Sequence, residues 1–126
     1  MSNSNIKIGK IGEAFAVDYL KAQDYWILER NYRLRFGEID LIARQGRRTV
    51  FVEVKTRRSL KFGAPQTAVT PTKQKQISKV ALSYLQEHNL LDGACRFDVI
   101  AVYLSLKCEL IDLQHIENAF EFRTNA

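Results

Sequence analysis

Residues Gly37 to Thr56 read "GEIDLIARQGRRTVFVEVKT", and the fold turns on this stretch. Two runs rich in β-branched and apolar residues, Gly37–Arg44 and Thr49–Thr56, lie on either side of Gly46-Arg47. Such runs favour strands, and Gly followed by any residue suits a tight type II′ turn. The prediction is an antiparallel hairpin in which Asp40 faces Glu53, Glu38 faces Lys55 and Ile42 faces Phe51. Side-chain alternation then puts Glu38, Asp40, Glu53 and Lys55 on one face, with Ile39, Leu41, Ala43, Val50, Val52 and Val54 on the core face.

Opposed Cβ atoms in such a pair lie roughly 5 Å apart, and like charges there destabilise a sheet. Asp40 opposite Glu53 therefore carries a cost unless a cation sits between them. Lys55 neutralises part of it, and Glu38 competes for that lysine. A divalent ion bound by both carboxylates removes the repulsion. Mg²⁺ suits the place, because it takes one or two carboxylates together with waters and phosphate oxygens. The backbone carbonyl of Val54 is a further candidate ligand. The ordinary alternative is an exposed strand face with a Glu38–Lys55 salt bridge and two solvated acids.

Upstream of the hairpin, Ile8, Ile11, Phe15 and Tyr19 form a helical stripe widened by Ala16, Val17 and Leu20, which predicts a helix over 8–22. Glu13 projects among Ala16, Val17 and Leu20, where an uncompensated carboxylate is costly. Tyr25–Arg35 reads as a strand pair or one long, bent strand. Trp26 within it reads as core.

Downstream, Arg57–Val69 reads as a mobile loop containing Gly63 and Pro65. Thr70 caps the next helix, Pro71 opens it, and it runs to about Glu87 with Ile77, Val80, Ala81, Tyr84 and Leu85 inward. Strands follow at Arg96–Leu104 and Cys108–Leu113, and "QHIENAFEF" (Gln114–Phe122) reads as a short turn or helix. The third strand, second helix and fourth strand form a crossover of the length that parallel pairing needs. The fold class is α/β, a mixed β-sheet flanked by helices in the order α-β-β-β-α-β-β. The chain forms one domain over 1–126, with 1–7 and 123–126 expected to be flexible.

Lys73 aligns with Ile77, Val80 and Tyr84 in the first turn of the second helix, where anions are favoured. With Gln74 it is a candidate phosphate or active-site contact, against a lysine snorkelling at the helix edge. Asp98 pairs with Arg96 or caps a backbone group, with a place near the carboxylates as the alternative. His88 and His115 read as structural or exposed rather than as ligands.

The net charge is +5 over 126 residues, but it is unevenly spread. Arg30–Lys61 holds ten Lys/Arg against three Asp/Glu, and the remainder nine against eleven. A concentrated basic segment points to a polyanion, nucleic acid first, or to a solvated face, and charge alone does not decide. The opening "MSNSNIKIGK" has no apolar core of a secretion signal, and no apolar run is long enough to span a bilayer. Cys95 and Cys108 match no metal spacing and read as two free thiols of a cytoplasmic protein.

An acid on the first helix, an Asp on one strand and E-x-K on the next, here Glu13, Asp40, Glu53 and Lys55, resemble the PD-(D/E)xK nuclease superfamily. Their order is most similar to that of the Holliday-junction-resolvase branch. "GEIDLIA", "FVEVKTR", "FGAPQTAVTPTKQKQI", "RFDVIAV" and "HIENAF" together resemble the YraN-like family of small bacterial proteins, from about Gly9 to Phe122. Ile39 stands where the superfamily name has a proline.

The resemblance implies a restriction-endonuclease-like fold and a metal-dependent endonuclease acting on DNA, including branched or repair structures. Asp40 and Glu53 would bind Mg²⁺ or Mn²⁺, with Glu13 and the Val54 carbonyl completing the site. Lys55 would orient the attacking water or stabilise charge on the phosphorus centre. Arg57, Arg58 and Lys61 directly follow the motif, and with Arg33, Arg35, Lys73 and Gln74 they are the candidate nucleic-acid contacts. A non-catalytic nucleic-acid-binding protein of the same fold is the alternative, and a scaffold whose acids serve only the sheet is a third. Junction resolvases act as dimers, and the loop around Phe62 is the candidate surface for a homodimer.

Overall fold

The computed structural model describes residues 2–58 and 69–123, with side chains from residue 7 onward. Among these residues the order is α1 (Ser2–Ala22), β1 (Trp26–Leu34), β2 (Gly37–Gln45), β3 (Arg48–Arg57), α2 (Pro71–Glu87), β4 (Cys95–Leu104) and β5 (Leu110–Phe120). The strands form one sheet in the order β1-β2-β3-β4-β5. β3 and β4 pair in parallel through the α2 crossover, and the other neighbours are antiparallel. The architecture is the mixed α/β sheet flanked by helices that the sequence predicts.

The hairpin closes as expected. Gln45 pairs with Arg48 and Ile42 with Phe51, so the loop is the two residues Gly46 and Arg47. Gly46 has φ +60, which any residue with a Cβ adopts at a cost. Thr70 Oγ1 accepts the Lys73 N–H at 3.2 Å, and Pro71 opens α2 where a missing N–H costs nothing. α2 ends at Glu87 and buries Ile77, Val80, Ala81, Tyr84 and Leu85, the face read from its spacing.

The hairpin has two core faces rather than one. Leu41, Ala43, Val50 and Val52 pack under α1 with Ala16, Val17, Leu20, Ile100 and Val102. Ile39, Ile42 and Phe51 pack under α2 with Ile77, Val80, Tyr84 and Val99. Ile39 and Leu41, expected on the same face, thus lie on opposite ones, and strand β2 reverses its faces at Asp40. On β1, Tyr32 pairs with Ile39 and Arg30 with Leu41, and Asn31 between them has φ +53. A left-handed residue breaks the two-residue alternation, so the reversal has a local backbone cause.

Other boundaries also move. α1 begins at Ser2, ahead of its first apolar residue. β1 is one bent strand with a register shift between Ile27 and Glu29. Gln114–Phe120 extends β5 instead of forming a turn or helix. Ile116 pairs with Val99 and Phe120 with Phe97, and Asn118 between them has φ +54. Trp26 is 66% exposed rather than core. Tyr25 takes the inward position, and alternation on an edge strand turns its neighbour out. The predicted loop Arg57–Val69 falls mainly on 59–68, outside the described residues, as do Phe62 and 124–126.

α1 sits close to the sheet at one point. A Cβ built at Gly12 would overlap the Thr56 side chain of β3, lying 2.8 Å from its Cβ and Cγ2. Thr56 is partly buried in the sheet and cannot move aside freely. Gly12→Ala is therefore expected to destabilise the protein by about 1–3 kcal/mol, as overpacking does. Urea unfolding would measure this, and an unchanged midpoint would show that α1 is free to lift from β3.

Candidate active site

The β2–β3 ladder runs from Gln45–Arg48 to Leu41–Val52, and beyond it the strands change their bonding. Asp40 Oδ2 accepts the Val54 backbone N–H at 2.8 Å, so a side chain takes the donor that the backbone no longer pairs. Val52 and Val54 pack toward α1, which turns Glu53, between them, toward α2. Glu53 lies beside Asp40, as the predicted opposition requires, and the two carboxylates act on each other by charge and by hydrogen bonding. Burial first, then Glu53, push the Asp40 carboxyl up from 3.8 to about 8, against the pull of the Val54 N–H.

Glu13 joins from α1. Burial raises its pKa first, and the charge of Asp40 raises it further, while a hydrogen bond from Asn31 lowers it. Its Oε1 is buried and has no hydrogen-bond partner. Glu13, Asp40, Val54, Thr56 and Arg57 line a concavity of about 300 Å³ together with Ile8 and Gly9. Gly12, in close contact with Thr56, fixes the height of Glu13 above this concavity. Asn31 was not read from the sequence as a site residue. Its signal was an Asn inside a strand pattern, a residue that tolerates left-handed backbone.

Lys55 has its pKa lowered, by burial first and then by Arg57, while Glu53 opposes the shift and Lys73 adds to it. These four side chains therefore form one electrostatic group. Lys73 Nζ lies 3.6 Å from Glu53 Oε2, so the lysine at the start of α2 does reach the carboxylates.

The remaining basic candidates divide. Arg57 lines the concavity and donates to the Thr56 carbonyl. Arg58 donates instead to the Leu106 carbonyl at 2.7 Å. Arg33 binds Glu38 at 2.7 Å, so Glu38 pairs across β1–β2 and not with Lys55. The cause is register: Arg33 is its ladder partner, whereas the β2–β3 ladder has already ended. Arg35 is exposed in the β1–β2 turn. Gln74 donates to the Val69 carbonyl and accepts from Arg123 Nε, which turns it away from the acids. Lys61 lies outside the described residues.

Asp98 stands apart from the carboxylate group, in a buried network. Arg96 donates to both of its oxygens at 2.8 Å, His115 Nε2 lies 2.7 Å from Oδ2, and the Asn118 N–H donates to Oδ1 at 3.0 Å. It both pairs with Arg96 and caps a backbone group, as expected. Burial raises its pKa, but the bonds from His115, Arg96 and Asn118 outweigh it and hold the carboxyl below its ordinary value. His115 is structural, joining Asp98 to the Tyr19 hydroxyl of α1.

Among the described residues no three His, Cys, Asp or Glu side chains are grouped closely enough to hold a metal by themselves. The arrangement is a carboxylate pair, Asp40 and Glu53, with Glu13 next to Asp40. That set suits an ion such as Mg²⁺, which needs only one or two carboxylates. Two observations support the fit: the mutual repulsion that raises Asp40, and the unpartnered Glu13 oxygen.

The fold and site define a small α/β protein with acids and lysines gathered where two strands of a mixed sheet part. The chain belongs to the Uncharacterised protein family UPF0102, which its residues 12–102 match. It is 53% identical over 119 residues to a UPF0102 protein of Geotalea daltonii, covering 94% of this chain and 93% of that protein. A UPF0102 protein of Syntrophus aciditrophicus is 56% identical over 117 residues, covering 93% and 91%. One from Dictyoglomus turgidum is 45% identical over 117 residues, covering 93% and 99%. No described helix is long and apolar enough to cross a membrane.

Proposed function

We propose that this protein is a Mg²⁺- or Mn²⁺-dependent endonuclease that hydrolyses phosphodiester bonds in DNA, including branched or repair structures. The observation that carries this reading is the Asp40–Glu53 pair, two neighbouring carboxylates where the β2–β3 ladder ends, with Asp40 tied to the Val54 N–H and the Glu13 Oε1 left without a partner beside them. A divalent cation would relieve that arrangement, of which Lys73, 3.6 Å from Glu53, offsets a part.

Asp40, Glu53 and the Val54 carbonyl would hold the ion, with Glu13 completing the set directly or through water. When bound, the ion supplies Lewis acidity toward the phosphate. The protein's own groups supply the rest. Lys55, its ammonium within the influence of Glu53, Arg57 and Lys73, orients the attacking water or stabilises charge growing on the phosphate. Glu13 Oε1, buried and without a hydrogen-bond partner, would accept a bond from a water held at the ion. Lys73 Nζ, 3.6 Å from Glu53 Oε2, would be available to a phosphate oxygen if an ion were held by Glu53. Arg57 faces the incoming backbone from the rim of the concavity.

The test is Mg²⁺ and Mn²⁺ binding by calorimetry on the native chain and on Glu53→Gln, together with cleavage of a panel of branched DNAs. Joint loss of binding and cleavage in the variant supports the nuclease. DNA binding that weakens with salt, without ion binding or cleavage, supports the non-catalytic alternative. Lys55→Met is expected to keep the ion and to slow cleavage on the order of 10²–10³-fold. Lost ion binding in that variant would remove Lys55 from the chemical step.

A further inference from the structure

A second surface lies on the outer side of α2. Phe36, in the turn between β1 and β2, is 41% exposed. Lys79 Nζ lies 5.3 Å from its ring centroid. Phe36 forms one wall of a groove of about 490 Å³, whose other lining residues include Lys75, Lys79, Leu82 and Arg123 and no Asp or Glu.

Several features build this groove. Thr72, Lys75, Gln76, Lys79 and Leu82 recur three and four residues apart, so they form one outward stripe of α2. The turn is held against the helix at Gly37, where an added Cβ would lie 3.2 Å from Val80 Cγ2. At the far wall the Arg123 N–H donates to Ser78 Oγ at 2.9 Å, and Arg123 Nε donates to Gln74 Oε1 at 3.1 Å. Gln74, read from the sequence as a nucleic-acid contact, thus acts by orienting Arg123. The same helix links the groove to the carboxylates, because Lys73 in its first turn binds Glu53.

We propose that this groove binds a single-stranded nucleic-acid segment that continues from the carboxylate site. Phe36 serves as the platform on which a base stacks, and Lys75, Lys79 and Arg123 track the phosphates. The charge is one-signed, which suits a polyanion. The exposed part of the Phe36 ring selects among polyanions, because a base in a duplex is already stacked and cannot use it, whereas an unpaired base that displaces the Lys79 ammonium toward a phosphate can. An acidic peptide would use the cations but gain little from Phe36. The inference rests on the nuclease reading for its substrate, and it narrows that substrate to DNA with an unpaired stretch next to the scissile bond, such as a flap, a fork or a single strand.

The experiment is binding of a fluorescent thymidine oligomer of about 15 nucleotides to the full chain carrying Glu53→Gln, with and without Phe36→Ala. Phe36→Ala is expected to weaken binding about tenfold, and Phe36→Trp to restore it. Lys75→Ala with Lys79→Ala is expected to lower the slope of log affinity against log salt by about 1.4, since each single-strand phosphate contact contributes about 0.7. Unchanged affinity and slope in variants whose unfolding midpoints are native-like would overturn the proposal. Competition by poly-glutamate as effective as by the oligomer, with Phe36→Ala indifferent, would also overturn it in favour of an acidic peptide. Oligomer binding that needs Phe36, in a native chain that cleaves nothing, would support the groove while removing the nuclease.

Discussion

Asp40→Asn is expected to fold at least as well as the native chain while cleaving DNA on the order of 10³-fold more slowly. An asparagine at this position keeps the acceptor for the Val54 N–H and adds a donor toward Glu53. It removes a carboxylate whose charge burial and Glu53 both oppose. The cost that disappears is one of charge, and the function that disappears is ion binding. The pH dependence isolates the cause. In the unfolded chain Asp40 gives up its proton near 3.8, whereas in the folded protein it keeps it to about 8. Between those values the native state binds the extra proton, so stability falls as pH rises and levels off above about 8. Urea unfolding with a chelator present, at pH 5 and pH 8, should show that fall in the native chain and less of it in Asp40→Asn. Added Mg²⁺ should recover stability at pH 8 in the native chain alone. An equal slope in both proteins would mean that Asp40 is ionised in the fold and that the repulsion is already relieved.

Asp98→Ala is the substitution expected to damage the fold most. Asp98 is 0% exposed and receives bonds from Arg96, His115 and the Asn118 N–H. Deleting it leaves the Asn118 N–H unpaired and the buried guanidinium with only the exposed Glu117 carboxylate, at 3.2 Å, as counter-charge, a change that costs about 3 kcal/mol. Domains of this kind have about 5–15 kcal/mol in all, so the variant should be largely unfolded at modest urea. Replacing both partners, Arg96→Met with Asp98→Leu, should cost less than Asp98→Ala alone, because no charge is then stranded. A loss below about 1 kcal/mol in Asp98→Ala would mean that water reaches Arg96 and solvates it.

The sequence carried the hairpin register, because a two-residue loop and a period-two pattern leave one pairing that works. It carried α2 from cap to last turn, since Thr70, Pro71 and the apolar stripe agree. It also carried the gathering of Glu13, Asp40, Glu53 and Lys55. Two of the features it concealed share a physical source. Asn31 and Asn118 adopt positive φ inside strands, and each resets the alternation that a strand pattern assumes. Where the chain enters β1, Tyr25 is buried and Trp26 exposed, the reverse of the simplest expectation from size. At Asn31, Ile39 and Leu41 part to opposite cores. At Asn118, a strand was read as a turn. The choice of Arg33 over Lys55 by Glu38 was hidden for a related reason, because it depends on where a ladder stops.

The reversal at Asp40 behaves like a dislocation in a crystal. Above it β2 gives its odd-numbered residues to α1, and below it to α2, so the reversing residue belongs to neither lattice. A strand in perfect alternation would have to surrender a core position to seat a buried acid. Here the acid occupies a site that the packing never claimed.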